Sequence, residues 1–193
     1  MIKVGITGGI GAGKSLVAQI FETLRYPLYT ADKEAKRLME QSSAIRSGLV
    51  KILGKEAFCG ETLDKPFIAR KIFGNQELLH KVNALVHPEV RKDFAEWAAR
   101  YPQKTILFFE SAILFDAGFQ SNLDAVICVT APVDVRIKRV MERDACTYED
   151  VEKRIKAQLK EDEMKKMSDF IITNDGKVPL IPQINTVLSK LKH

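Results

Sequence analysis

The run Gly8-Gly9-Ile10-Gly11-Ala12-Gly13-Lys14-Ser15 fills every fixed position of G-x-x-x-x-G-K-[ST], the loop that cradles nucleotide phosphates. Before it, Ile2, Val4 and Ile6 alternate as a short strand would; after it, Leu16-Val17-Ala18-Gln19-Ile20-Phe21 begins a helical pattern. Strand, glycine-rich loop and helix in that order predict a nucleoside triphosphate site. Glycines let the loop turn its N–H groups inward around oxygens, and a side chain there would block the phosphates. The helix that follows adds free N–H groups and a positive dipole end. The candidate phosphate-binding positions are therefore Gly9, Gly11, Ala12, Gly13, Lys14, Ser15 and Leu16. Lys14 is expected to reach the β- and γ-phosphates, and the Ser15 hydroxyl to ligate Mg2+.

Working outward, 193 residues suit one substantial core with an inserted subdomain. Hydrophobic residues at 46% and charged residues at 28% place the chain with globular proteins and away from disordered ones. The net charge of +5 favours anionic ligands without separating a phosphorylated metabolite from nucleic acid, and no block of like charge resembles a nucleic-acid arm. Cys59, Cys128 and Cys146 lie far apart without metal-ligand spacing, which suits free thiols in a reducing compartment. Met1 leads straight into the first strand, and the apolar runs Ile106 to Phe109 and Ala125 to Val129 are far short of a bilayer span. The expectation is a cytoplasmic protein with neither a membrane nor a nucleic-acid partner.

Along the chain, Pro27-Leu28-Tyr29-Thr30-Ala31 reads as a second strand, and Asp32 stands where a new helix begins. Asp32 is placed to cap that helix; it also lies at the carboxyl end of a strand, where open α/β sheets bind ligands. From Lys33 to about Tyr101 the pattern is helical with no convincing strand, and too long for one crossover, which predicts a helical subdomain for a second substrate. Within it, Leu85-Val86-His87-Pro88-Glu89 is expected to end one helix and start another, with His87 either touching substrate or hydrogen-bonded at the junction. Phe94, Trp97, Ala98 and Tyr101 fall at core spacings.

Lys104-Thr105-Ile106-Leu107-Phe108-Phe109-Glu110 then reads as a buried parallel strand ending in a carboxylate, so Glu110 is a candidate near Mg2+ or merely a cap. Leu123 to Val129 is a further strand and Val133 to Asp144 a helix, on which Arg136, Arg139 and Arg143 share one face. Thr147-Tyr148-Glu149-Asp150 has the form of a capping box opening a second helix that carries Arg154 and Gln158 to about Met164. Two charged helices joined by a short turn describe a lid. Its ten basic and eight acidic residues from Arg136 through Lys166 make a mixed surface, but repeated arginine suits phosphate oxygens. Asp169 to Thr173 is the last strand, Asn174-Asp175-Gly176 a turn, and Leu180 to Leu191 a closing amphipathic helix.

These parts predict an α/β fold: a P-loop NTPase-type parallel sheet of five strands covered by helices on both faces, with a helical substrate-binding insertion and a helical lid. The nucleotide-binding core would comprise residues 1–31, 102–135 and 167–193, the acceptor subdomain about 32–101, and the lid about 136–166. Such a layout describes a small-molecule kinase, in which the protein positions the reactants and stabilises charge.

The chain resembles the dephospho-coenzyme A kinases over essentially its whole length. The resemblance rests on Thr7 to Ser15, on Ala31-Asp32 followed by Ala35, on Leu85-Val86-His87-Pro88, on Arg139 with Arg143-Asp144, and on Asp169 to Gly176. It implies transfer of the ATP γ-phosphate, with Mg2+, to the ribose 3′-hydroxyl of dephospho-coenzyme A. It further implies Asp32 as general base. Beside it, the residues themselves offer Lys14 and Arg143 as catalytic groups, Arg139 and Arg143 for the donor phosphates, and Asp32, Lys36, His87 and Glu110 as candidates on the acceptor side. Departures are Thr30-Ala31-Asp32 for the family's frequent Asp-Ala-Asp, Lys36 for a common arginine, and Ala112 to Asp116 for Pro-Leu-Leu-Phe-Glu. Competing readings are a P-loop kinase for another nucleoside or nucleotide, a GTP switch, for which an Asn-Lys-x-Asp motif is wanting, and a nucleic-acid binder. Oligomeric state stays open between monomer and weak homo-oligomer.

Overall fold

A computed structural model describes residues 1–103 and 105–192; Lys104, read above as the start of a strand, lies outside them. In chain order the elements are β1 (Ile2–Thr7), α1 (Lys14–Thr23), β2 (Leu28–Thr30), α2 (Ala31–Gln41), α3 (Ser43–Leu53), β3 (Phe58–Cys59), β4 (Thr62–Leu63), α4 (Lys65–Ile72) and α5 (Gln76–Ala98). There follow β5 (Ile106–Glu110), β6 (Ala125–Thr130), α6 (Val133–Asp144), α7 (Tyr148–Lys156), α8 (Glu161–Lys166), β7 (Phe170–Thr173) and α9 (Leu180–Leu191). The chain divides into two compact units, one of Met1–Thr30 with Pro102–His193 and one of Ala31–Tyr101.

The first unit is built on a parallel sheet in the order β2-β5-β1-β6-β7. From β1 the chain builds outward on both sides, so the carboxyl end of β1 is a switch point of the kind at which open α/β sheets bind ligands. The P-loop follows there directly. Register aligns the strand ends: Ile6 and Thr30 both pair with Glu110, and Thr7 pairs with Cys128. On one face Val4, Ile6, Phe108, Ile127, Val129 and Ile172 form a common core with Val17 and Phe21 of α1 and with Ile184, Val187 and Leu191 of α9. The Phe108 ring stacks on Phe21 at 3.9 Å and meets Tyr26 edge-on at 5.7 Å. On the other face Phe109 lies between Tyr29 and Phe119, and α8 packs against β6. The predicted fold class is the one observed.

The second unit, Ala31–Tyr101, is mostly helical. The helices α3, α4 and α5 start where short polar side chains accept from first-turn amides: Ser42 from Ile45, Asp64 from Phe67 with Pro66 in the first turn, and Asn75 from Leu78. A two-residue hairpin, β3 with β4, departs from the strandless expectation, being too short to register as alternation. Arg46 stabilises it by donating to the Gly60 and Glu61 carbonyls and lying 4.3 Å over the Phe58 ring. Arg37 joins α2 to α5 through Asp93 at 2.6 Å and also pairs with Glu34.

Pro88 corrects a second expectation. It lies inside the continuous helix α5 and does not separate two helices. Proline there removes one main-chain bond and crowds the preceding turn. Val82, Val86, Val90, Phe94 and Ala98, one helical turn apart on both sides of it, are all buried, and that shared apolar stripe holds the two halves as one helix. Asp32 likewise falls inside the first turn of α2 and not before it, and Ala157–Lys160 interrupts the helix expected to run to Met164.

Two outcomes are expected from this packing. Phe108→Ala, which empties the stacked centre of the first unit, should lower unfolding stability by about 3–5 kcal/mol in urea denaturation. His87 on α5 is held below its ordinary pKa of 6.5, chiefly by burial and further by Arg91 and His80. The unfolded chain therefore takes up this proton at a higher pH than the folded one, so the contribution is complete above the unfolded value and is lost as pH falls from there through the lower folded value. His87→Gln should flatten the decline in the urea midpoint between pH 7.5 and 5.5 relative to the unsubstituted protein.

Candidate functional site

The P-loop connects β1 to α1 with main-chain geometry that side chains would not permit. Gly13, the N-cap of α1, has φ 91°, and a Cβ there would overlap the Asn174 amide. Gly11 has φ 78°, and its Cβ would run into the Arg136 carbonyl. Glycine at these positions thus clears the protein's own supports as well as the ligand space expected from sequence. Ala12 is fully buried, and its N–H donates to the Gly9 carbonyl at 3.0 Å, closing the turn.

Three side chains hold the outer side of the loop. Arg136 Nε donates to the Ile10 carbonyl at 2.9 Å, the Ile10 N–H donates to Gln158 Oε1 at 2.8 Å, and Asn174 Nδ2 donates to the Ala12 carbonyl at 2.9 Å. The Arg136 side chain is only 4% exposed, lies against Gly9, and pairs through Nη1 with Glu161 Oε2 at 2.9 Å. Glu161 in turn carries Lys165, which raises the lysine pKa. Burial of the guanidinium is offset by charge-assisted hydrogen bonds, the condition under which a buried cation is stable. Of these supports, sequence reading placed Arg136 on a lid face, Gln158 on a lid helix and Asn174 in a turn. None was assigned to the loop, because side-chain contacts between segments more than 120 residues apart leave no periodic trace. The one available signal was position: Asn174 directly follows a strand at its carboxyl end.

At the start of α1, Lys14 and Ser15 are the first helical residues and Leu16 is 48% exposed in the same turn. Ser15 Oγ donates to Glu110 Oε1 at 3.2 Å. Glu110 ends β5 and is 4% exposed, so a hydroxyl and a buried carboxylate meet beside the helix start. A hard cation that takes one or two protein oxygens, with the rest from phosphate and water, suits this pair. Among the described residues no group of three or more His, Cys, Asp or Glu could hold a metal without such help.

The α6 arginines divide. Arg139 Nη1 donates to the Asn174 carbonyl at 2.9 Å, which joins it to the residue that supports Ala12. Arg143 instead forms a fork on Asp144, at 2.8 and 3.1 Å, and Arg154 of α7 donates to the same carboxylate at 2.7 Å. These two arginines, Arg143 first, hold the Asp144 carboxyl down to about pKa 2. Thr147 and Asp150 make the expected capping box of α7. Cys128, behind the loop on β6, is free, and burial pushes its thiol up to about 11.

In the second unit, Asp32 and Lys36 are both exposed, one turn apart on α2, and His87 is half-buried on α5. The chain reaches Asp32 two residues after Thr30, the β2 residue paired with Glu110.

A glycine cradle with a hydroxyl-carboxylate pair is common to many nucleotide enzymes, and comparison narrows it. The model of the dephospho-CoA kinase family matches residues 2–179. A dephospho-CoA kinase of Bacteroides fragilis is 37% identical over 190 residues, 98% of this chain and 93% of the relative. One of Thermus thermophilus is 35% identical over 191 residues, 98% and 92% of the two chains. The crystal structure of a Thermus thermophilus protein superposes with a TM-score of 0.87 at 34% identity, covering 100% of this chain and 98% of the other. A shikimate kinase from Acinetobacter baumannii, at 15% identity and a TM-score of 0.59 over 99% and 93% of the chains, shares the fold alone. With a family model spanning nearly its whole length and relatives above the 30% level, the chain belongs to the dephospho-CoA kinase family.

Proposed function

We propose that the protein transfers the γ-phosphate of ATP to the ribose 3′-hydroxyl of dephospho-CoA, giving CoA and ADP, the last step of coenzyme A synthesis. The observation that carries this reading is membership of the family across residues 2–179 by a chain whose phosphate loop keeps every fixed position. The donor's phosphates lie against the main chain of Gly9 and of Gly11 to Leu16, with Lys14 on the β- and γ-oxygens. Ser15, backed by Glu110, would hold Mg2+, which neutralises charge on the transferred group when bound. Arg139 and Arg143 close over the leaving phosphates, residues 136–166 acting as lid. Planar guanidinium donors fit phosphate oxygens in pairs, and their charge counts most where negative charge grows in the transition state.

On the acceptor side Asp32 takes the proton of the attacking hydroxyl. It is exposed near the start of a helix and stands without the second carboxylate frequent in the family, so one group carries the proton step. Lys36, a turn further along α2, supplies a point charge for an acceptor phosphate. His87, its pKa lowered by burial, is neutral at pH 7 and can donate or accept one hydrogen bond to the acceptor. Residues 32–101 form the acceptor subdomain in this account. Excluding water as a rival acceptor is the lid's other task.

Purified protein with Mg·ATP should release ADP rapidly when given dephospho-CoA, with CoA identified by mass, and slowly with AMP, adenosine or no acceptor. Preference for another acceptor would keep a P-loop kinase and remove the substrate. Asp32→Asn should lower kcat by about 10²–10⁴ with ATP affinity nearly unchanged; near-normal turnover would leave Asp32 only its place in the helix start.

A further inference from the structure

The tip of the phosphate loop is built into the lid. Ile10 is held by both of its main-chain groups, the N–H by Gln158 and the carbonyl by Arg136. Its side chain packs against a small separate core made of Ile137 and Val140 from α6 and Val151 from α7, with Cys146 and Ile155 at its edge. Gln158 comes two residues after α7, in the Ala157–Lys160 break where the helix stops. Arg136 belongs to α6, and its guanidinium is tied by Glu161 to α8. Every segment of the 136–166 region thus meets one residue of the loop or the arginine that holds it. The remaining loop support, Asn174 on Ala12, lies outside that region.

We infer that Gln158 is a positioning residue that clamps the phosphate loop to the lid through Ile10, so that donor binding and lid position are linked. An inward-facing loop must turn some main-chain groups outward, and these are free to reorient unless something fixes them. With the Ile10 N–H and carbonyl both engaged, the peptide planes on either side of Ile10 are fixed before the nucleotide arrives, and the N–H groups of Gly11 and of Gly13 onward need no rearrangement to meet phosphate. Preorganised donors contribute more than donors that must be ordered on binding. Because both partners of Ile10 come from lid segments, displacement of those segments releases the loop tip, and by reciprocity phosphate binding favours the lid arrangement that keeps the clamp. The inference rests on the nucleotide-binding part of the proposed function, and its test needs no acceptor.

Arg136 is too buried for a clean substitution, so the test uses half-buried Gln158. Gln158→Met removes the acceptor at similar length, and Gln158→Glu keeps one. In 15N-labelled protein without nucleotide, the Ile10 amide should exchange with solvent at least about tenfold faster in Gln158→Met and at the original rate in Gln158→Glu. Calorimetric titration of Gln158→Met with Mg·ATP should show affinity weakened about tenfold, and ATP addition should no longer slow exchange of α7 amides. The Tm should change little. Unchanged Ile10 exchange in Gln158→Met would overturn the clamp. So would equal acceleration in both variants, which would assign the effect to side-chain shape and not to the acceptor. Loss of ATP binding by the unsubstituted protein would instead remove the nucleotide reading beneath it, and unchanged ATP affinity in Gln158→Met with faster exchange would overturn the linkage.

Discussion

A loop that aims its N–H groups at an anion has to dispose of its remaining main-chain groups, and the first unit of this protein is arranged around that requirement. A main-chain group left unpaired away from water costs as much as a lost hydrogen bond. Here the carbonyls of Ile10 and Ala12 and the N–H of Ile10 are satisfied by Arg136, Asn174 and Gln158. Those three come from the helix after β6, the residue after β7 and the junction after α7. The sheet order supplies them: β6 and β7 lie on the same side of β1, so the segment leaving the end of each strand arrives beside the loop that leaves β1. The sheet is a frame for bringing distant segments to one short loop.

The same supports leave no room for a Cβ at three of the loop's glycines. Gly9 and Gly13 leave room for the Arg136 guanidinium and the Asn174 amide, and Gly11 for the main chain of α6. A buried guanidinium is costly unless every direction of its charge is answered, and Arg136 is answered by the Ile10 carbonyl and by Glu161. Arg136 is therefore a structural cation beside the glycine loop, its charge spent on the Ile10 carbonyl and on Glu161.

Much of this was legible in the chain because it is local. The P-loop, the strands β1, β5, β6 and β7, the helices α6 and α9, and the Thr147 capping box are each written in a few adjacent residues whose spacing has one physical meaning. What was not legible depends on contacts across the fold. Pro88 reads as a boundary until the buried stripe from Val82 to Ala98 is seen to span it. The α7 helix reads as continuing until Gln158 is seen engaged by the Ile10 amide. Arg136, Arg139 and Arg143 look alike as a row at spacings of three and four, yet one is buried under the loop, one joins Asn174, and one is turned to Asp144. Sequence periodicity shows that they share a face; only the partners distinguish them.

The thiols divide along the same lines. Cys128 sits behind the loop with no exposed surface and a thiol raised to about 11, so at neutral pH it is protonated and sheltered. The thiolate is the form that alkylating reagents and oxidants attack. Cys59, by contrast, is exposed on the small hairpin of the second unit, and Cys146 is half-buried in the turn between α6 and α7. The chain thus already carries a separately addressable sulfur in the helical unit and another in the turn between α6 and α7, while the one buried on β6 is silent to labels that would report on the other two.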